Sequence, residues 1–388
     1  MGARPCPKRA GRLGFSERGT SYLLALNGRD AHYFWDHYVM GSPEDLGSRF
    51  LDAGTDARTL IVRVLVAARR AAGEGVEAEE IVEFLESSFG AFQQIQRTGH
   101  WRWSHDDLVR ALADLAQHRL VEVHANGRYE LTAIGRLAGE SSCEVASIIR
   151  VVDCLSPLDP GQISDPTLIT AVQVTAELDQ VLFPINKKST QKEPLTWFQE
   201  LRHQNVPDHV SNQLRRGATE QSQDTLRAKK AVACLFYVSG QPMSEIERVM
   251  TQFGGAFGGA AGPIRAVASR TCDLLRTAAR IAELLHPGLD LTERLGRLLV
   301  RLDLGIPASV AEIGRYAGNR LLRGDYRRLA TASLVDASSI ESADDRVILG
   351  CVDNNRQKLR LLRSAAMMFR KRERQLDSVL PLLGPYEP

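Results

Sequence analysis

The chain has 388 residues, more than one compact core normally holds, so its length predicts two to four domains. Hydrophobic residues make up 44% and charged residues 25% of it, as in ordinary globular proteins, and a net charge of +2 excludes a uniform polycation. No apolar run reaches the ~18 residues of a membrane-spanning helix, and the basic N-terminus lacks the apolar core of a signal peptide. We therefore expect no membrane contact and a cytoplasmic location.

Basic residues are concentrated at the two ends of the sequence. Residues 1–29 contain six lysines and arginines against one acidic residue, Glu17. The segment 356–374 is also basic, with Glu373 as its one acidic residue. Local basic blocks of this kind favour phosphate binding.

The six cysteines are scattered along the sequence. None of them stands at the spacing of a metal-ligand pair, and neither CxxC nor HExxH occurs. We therefore predict no metal site, and free, buried thiols in a reducing compartment.

The first predicted element is the apolar run Thr20–Leu26, which has the length and composition of a buried β-strand. A strand of a parallel sheet needs neighbouring strands, and helices on both faces, and the surrounding sequence supplies none of them. We expect residues 1–30 to be the trailing edge of an α/β domain whose remainder lies outside this sequence, followed by a linker over 31–58.

Between residues 59 and 138 the sequence predicts three helices and a β-hairpin. Helical spacing of apolar residues marks Thr59–Ala72 and Glu77–Ser88, and a capping box at Ser104–Asp107 begins a third helix. Alternating runs on either side of Asn126-Gly127 predict a hairpin with a type I′ turn. Three helices followed by a two-stranded wing predict a winged helix.

From residue 139 onward helical periodicity dominates, and turn signals separate the segments. The predicted helices are Glu144–Asp153, Asp165–Val181, Thr225–Val238, Ser244–Gln252, Pro263–Leu285 and Leu291–Leu302. The stretch Asn186–Pro194 is predicted to be a polar loop. We divide this part into a helical bundle over 139–288 and a small helical C-terminal domain with a basic tail over 289–388, so the predicted fold class is mainly α.

The segment Lys8–Gly14 (KRAGRLG) and the apolar run after it resemble motif VI of superfamily 2 helicases, whose pattern is Q-x-x-G-R-A-G-R. In the order of its domains the whole chain is similar to the superkiller-type helicases, the group that includes archaeal repair helicases. The resemblance implies that residues 1–30 are a remnant of the second RecA-like domain. It also implies that Arg9 and Arg12 are catalytic arginine fingers, which stabilise the charge of the phosphoryl group during ATP hydrolysis.

The sequence contains neither a G-x-x-x-x-G-K-[ST] phosphate loop nor an Asp-Glu motif after an apolar strand. Gly254–Gly262 lacks the Lys-Ser/Thr ending of such a loop, and Pro263 suits the first turn of a helix, so a flexible connection is the better interpretation. We expect ATP and Mg²⁺ to act only through an ATPase core that these residues lack, and no cofactor to bind this chain alone. The core would come from a missing N-terminal half or from a partner chain.

In the helicases that the chain resembles, a long ratchet helix of the bundle lies along the single strand, and Gly262–Ala282 is the best match to it. The resemblance implies that the stripe of Ala266, Arg270, Asp273 and Thr277 faces the strand. The neighbouring stripe of Arg265, Arg276 and Arg280 is the alternative set of phosphate-binding residues. Arg270 would stack on a base or pair with a phosphate, and Asp273 stands where the family has an aromatic residue. A plain solvated helical face is the alternative interpretation of these arginines.

Arg128 in the wing and Arg110 on the third helix are further candidates for nucleic-acid contacts, although in this helicase group the winged helix is mainly a brace against the motor. In the C-terminal domain, Leu302–Pro307 and Arg320–Arg328 resemble a helix–hairpin–helix. In such a motif a glycine turn lets backbone N–H groups approach phosphates. A plain helical hairpin fits these residues equally well.

Three functions remain open on the sequence. The leading hypothesis is the part of a superfamily 2 helicase that grips single-stranded or branched nucleic acid and is coupled to an ATPase core. The rival is a stand-alone winged-helix regulator or scaffold that reads duplex DNA through the Ser104–Arg119 helix. The third is a truncated gene product without independent activity.

Overall fold

A computed structural model describes residues 24–41, 56–72, 75–101, 105–186, 192–218, 222–254 and 259–379 of the chain. Within these residues there are twenty α-helices and two β-strands, which confirms the mainly α fold class. The first ten helices are Gly28–Phe34 (α1), Ala57–Ala72 (α2), Ala78–Glu86 (α3), Phe89–Thr98 (α4), His105–Gln117 (α5), Ala133–Glu140 (α6), Val145–Leu155 (α7), Asp165–Ala171 (α8), Ala176–Asp179 (α9) and Lys192–His203 (α10). The others are Asp208–Gln213 (α11), Gln223–Val238 (α12), Met243–Thr251 (α13), Ala261–Leu285 (α14), Thr292–Leu304 (α15), Ala311–Ala317 (α16), Arg323–Thr331 (α17), Ala337–Ser342 (α18), Asp345–Cys351 (α19) and Arg356–Val379 (α20). The strands are Val121–Val123 (β1) and Tyr129–Leu131 (β2).

The chain divides into two compact units, a smaller one formed by residues 1–54 and 85–102 and a larger one formed by 55–84 and 103–388. In the smaller unit Asn27 caps α1 by accepting a hydrogen bond from the Asp30 N–H, and a π-helical turn over Trp35–Val39 follows. Ser88 caps the start of α4, and Gly99 ends it with φ of +77°.

The predicted strand at Thr20–Leu26 lies partly outside the described residues. Over its last three residues the prediction is wrong, because Leu24–Leu26 is not a strand and both leucines are exposed, at 89% and 96%. An apolar run buries its side chains only where another strand or helix covers it. Residues 31–58, predicted as a linker, contain the end of α1 and the π-helical turn, and the finger candidates Arg9 and Arg12 lie outside the described residues.

The predicted hairpin is confirmed, with β1 and β2 antiparallel and Val121 opposite Leu131. Its turn differs from the predicted type I′, because only Gly127 of the Asn126-Gly127 pair has a positive φ. The Gly127 N–H donates to the His124 carbonyl, and the His124 N–H donates to the Arg128 carbonyl. This is a type I turn followed by a glycine bulge, the next most common hairpin connection.

The larger unit begins with α2, α5, α6 and the hairpin packed around one apolar core. Buried leucines from α2 and α5 form its centre, and Val76 pairs with Tyr129 as a third, single-residue addition to the sheet. The Val145 N–H at the start of α7 donates to Thr59 Oγ1 on α2 at 2.9 Å. This bond ties the first helix of the core to the helices that follow.

The helical bundle is built around α14, a 25-residue helix that packs against α6, α7, α8, α12, α13 and α15. The helix predicted over Asp165–Val181 is instead broken into α8, a 3₁₀ turn over Val172–Val174 and α9. Of the polar loop predicted over Asn186–Pro194, residues 187–191 lie outside the described residues, and the last three residues instead begin α10. Pro194 is tolerated there because the first turn of a helix needs no N–H from it.

Three cationic side chains of α12 are buried, each at 2% exposure or less: Arg227, Lys229 and Lys230. Arg227 binds Asp179 through two hydrogen bonds, Nε–Oδ1 at 2.8 Å and Nη2–Oδ2 at 2.6 Å. Lys229 Nζ lies 2.5 Å from Glu193 Oε1 of α10, and Lys230 Nζ donates to a backbone carbonyl of α9. Buried charges need such partners, so these contacts fix α12 against α9 and α10.

Helices α16 to α20 form the C-terminal part of the larger unit around their own apolar core, which includes Ile306, Tyr326 and Leu362. Asp325 is fully buried in this part and is neutralised by Lys358 and Arg328, at 2.6 and 2.7 Å. No helix within the described ranges is both long enough and apolar enough to cross a membrane.

Candidate nucleic-acid interface

Helix α14 has one buried side and one open side. Its buried side is rich in alanine and branched apolar residues, and it contains no aromatic residue. Arg265, Arg276 and Arg280 lie on the open side, where all three are exposed. At 100° per residue these arginines fall within about 60° of one another, and at 1.5 Å per residue they span about 22 Å along the helix. The fold therefore presents them as one continuous strip.

The arginines differ in their partners. Arg265 and Arg276 form no ion pair or hydrogen bond through their side chains in the described part of the chain. Arg280 Nη1 lies 3.0 Å from Glu283 Oε2, and Arg270 Nη1 lies 3.3 Å from Asp273 Oδ2. Ion pairs between exposed side chains three residues apart contribute only about 0.3–0.5 kcal/mol, so an incoming phosphate displaces them at small cost.

The two stripes predicted on this helix are not equally open. Arg270 and Thr277 are half-buried, whereas Arg265, Arg276 and Arg280 face solvent. Ser269 also lies on the exposed strip. Its position four residues after Arg265 is a helical spacing from which the sequence could have predicted this. The surface is suited to contacting phosphates, and it lacks an aromatic side chain on which a base could stack.

Cys272, on the same helix, is half-buried, and its Sγ donates to the Leu299 carbonyl of α15 at 3.7 Å. Burial raises the pKa of its thiol to about 12, and Asp303 adds to the rise. The thiol is therefore uncharged at neutral pH, and an uncharged thiol is a poor nucleophile. Residues 24–41, 56–72, 75–101 and the other described ranges contain no group of three His, Cys, Asp or Glu side chains that would hold a metal ion.

The winged-helix candidates are both tied to neighbouring groups. Arg128 donates to the Gly75 carbonyl at 3.0 Å and to Glu77 Oε1 at 3.3 Å, contacts that hold the hairpin against the segment before α3. Arg110 Nη2 lies 2.5 Å from Asp107 Oδ1. Helix α5 carries three aspartates against this one arginine, and such an acidic helix repels the phosphates of duplex DNA.

The glycine turn after α15 does not leave its backbone donors free. Gly305 has φ of +66°, and its N–H donates to the Arg301 carbonyl at 2.8 Å, as does that of Ile306 at 3.1 Å. Both N–H groups therefore cap the helix. Of the two interpretations of Leu302–Pro307, these bonds favour the plain helical hairpin.

No protein-family model matches the sequence, and the comparison with curated proteins gives no match.

Proposed function

We propose that this chain is the part of an ATP-dependent superfamily 2 helicase that grips single-stranded nucleic acid through α14. The observation that carries the proposal is the exposed strip on which Arg265 and Arg276 have no acidic partner among the described residues. An unpaired, solvated guanidinium binds a phosphate without first giving up an internal ion pair. The buried side of the helix, packed against the surrounding helices of the bundle, supplies the rigid support that such a grip needs.

The rest of the proposed assignment follows the resemblance to superkiller-type helicases. The helices and hairpin of residues 59–138 serve as a winged helix that braces the motor, and residues 139–288 as the ratchet bundle. Arg9 and Arg12 act on ATP and Mg²⁺ held by an ATPase core outside these 388 residues, because the sequence has no phosphate loop of its own. The chain alone is then expected to bind single strands without hydrolysing ATP.

The three aspartates on α5, against the one arginine Arg110, speak against the rival function, a stand-alone regulator that reads duplex DNA with this helix. Recognition helices in the major groove use arginines free to reach base edges and phosphates. A regulator would bind one duplex sequence better than single strands and would be insensitive to changes on α14.

The test is fluorescence anisotropy of the purified chain with labelled single-stranded DNA and RNA over a range of salt concentrations. The doubly substituted Arg265→Ala, Arg276→Ala variant should lower the slope of log K against log salt by about 1.4, since each phosphate contact on a single strand contributes about 0.7. Arg346→Ala on α19 removes one exposed arginine that also lacks a described ion pair, so it is the matched control.

An unchanged slope for the double variant, with wild-type binding intact, would show that α14 is not the grip. Preference for a particular duplex, unaffected by these changes, would support the regulator instead. ATP hydrolysis by the chain alone would contradict the proposed need for a separate core.

A further inference from the structure

A second group of arginines lies where α12, α15 and α17 meet. Arg323 of α17 donates from Nε to the Gly305 carbonyl at 2.5 Å and from Nη2 to the Tyr237 carbonyl at 3.3 Å. Its guanidinium carbon lies 4.8 Å from the centre of the Tyr237 ring. Arg323 is therefore fixed in place, and it holds α17 against the ends of α12 and α15.

The N-terminal end of α14 reaches the same place. Helices α14 and α15 are joined by a short turn and run antiparallel, and Cys272 of one contacts Leu299 of the other. From this contact, Gly305 lies about 9 Å along α15 and Arg265 about 10 Å along α14. Arg265 and Arg323 are thus at the same level of the bundle.

Arg327 completes the group, one turn after Arg323 on α17. It is half-exposed, and, like Arg265, its side chain has no ion pair within the described ranges. Burial lowers the pKa of Arg323, and the positive charges of Arg327 and Arg265 lower it further, whereas Tyr237 raises it. Arg327 and Arg265 therefore both lie within electrostatic reach of Arg323.

Few negative charges oppose this cluster. Burial raises the pKa of the neighbouring Tyr237, Arg323 and Arg265 lower it, and the carboxylate of Asp303 raises it. Asp325 of α17 is already neutralised by Lys358 and Arg328. Neither carboxylate forms an ion pair with Arg265 or Arg327 within the described ranges, so these two arginines keep a positive charge that an anion would neutralise.

We propose that Arg265 and Arg327 form a phosphate-binding site that continues the path of the bound strand from α14 onto α17, with Arg323 positioning α17 beneath it. The proposal rests on the function proposed above, and it adds a second contact region in the C-terminal part of the chain. A strand lying on the α14 strip passes Arg280, Arg276 and Arg265 and then meets Arg327. Its backbone phosphates are the chemical groups that this site recognises.

The experiment compares Arg327→Ala, Arg327→Lys and Arg346→Ala in the full chain, with a labelled oligothymidylate of about 16 nucleotides, the upper range of single-strand site sizes. Arg327→Ala should weaken binding about fivefold, the limit for a solvated ion pair, and lower the salt slope by about 0.7. Arg327→Lys keeps the charge and should retain most of the affinity. Because the Arg327 side chain has no described partner, its removal should leave the thermal unfolding temperature unchanged.

Two outcomes separate failure of this site from failure of the proposed function. If the Arg265→Ala, Arg276→Ala variant binds weakly while Arg327→Ala behaves as Arg346→Ala does, the strand stays on α14. The site at Arg327 is then refuted, and the proposed function stands. If wild-type protein does not bind the oligonucleotide, the proposed function fails and this site fails with it.

Discussion

Lys230 provides a direct test of how buried charge is accommodated in the bundle. Lys230 is 2% exposed, and its ammonium group donates a hydrogen bond to the Leu178 carbonyl at 2.7 Å. Burial lowers its pKa from 10.5 to about 8, with a smaller opposing effect from Asp179. The unfolded chain therefore binds a proton at Lys230 between pH 8 and 10.5 that the folded chain does not.

The sign of the effect follows from this difference. Below pH 8 both states are protonated, and the folded state bears the full cost of the buried charge, about 3 kcal/mol at 1.36 kcal/mol per pKa unit. This cost disappears as the pH rises to 10.5. Lys230→Met keeps the unbranched shape without the charge, and the Leu178 carbonyl keeps the Val181 N–H as a donor at 3.1 Å. After the loss of one hydrogen bond, worth about 1 kcal/mol, the variant should be more stable than wild type by about 2 kcal/mol at pH 7.

The assay is guanidinium unfolding followed by circular dichroism at pH 7, 8, 9 and 10, reported as the difference between variant and wild type so that other titrating groups cancel. The gain in stability should shrink steadily above pH 8. Lys192→Met, on the exposed start of α10, is the control, and its effect should stay within about 0.5 kcal/mol at every pH. A difference for Lys230→Met that is equal at pH 7 and pH 10 would refute the reasoning.

Two further changes probe the supports of the candidate interface. Glu193→Gln leaves the Lys229 ammonium buried without the carboxylate that now lies 2.5 Å away, so it should lower the free energy of unfolding by about 3–5 kcal/mol, measured by denaturant unfolding. Adding Lys229→Met to this variant should recover much of the loss. If the single and double variants were equally unstable, the charge would not be the cause. Gly305→Ala would place a Cβ 2.4 Å from Tyr237 Cζ at a φ of +66°, so it should destabilise the protein by about 1–3 kcal/mol, measured by calorimetry. Gly262→Ala meets no atom within 4 Å, and a comparable loss there would contradict this explanation.

Local patterns in the sequence predicted much of the fold. Helix α14 was expected over Pro263–Leu285 and is found over Ala261–Leu285, because its apolar spacing and its proline are local signals. The hairpin was also predicted, although its turn type depends on backbone angles that an Asn-Gly pair does not fix by itself. Locally encoded elements are the ones that a single sequence specifies best.

Long-range pairing was not predictable in the same way. The partners of Arg227 and Lys229 lie 48 and 36 residues away in sequence, so the residues near α12 do not predict that its cations are buried. The candidate site shows the same limit, since α14 was identified but the approach of Arg327 to Arg265 depends on how α17 packs. The exposed Leu24 and Leu26 show the reverse case, in which an apolar run lacks the neighbour that would bury it.

The composition of the α14 strip determines what kind of grip it provides. If the α14 strip holds a single strand as proposed, base stacking contributes little, because the helix has no aromatic residue and Asp273 lies beside the strip, and phosphate contacts through Arg265 and Arg276 carry the binding. Phosphates are the same in every sequence, so a strand held this way has no preferred register, and moving it by one nucleotide recreates the same contacts. Such a surface would bind the strand more weakly as the salt concentration rises and would let the strand slide along it.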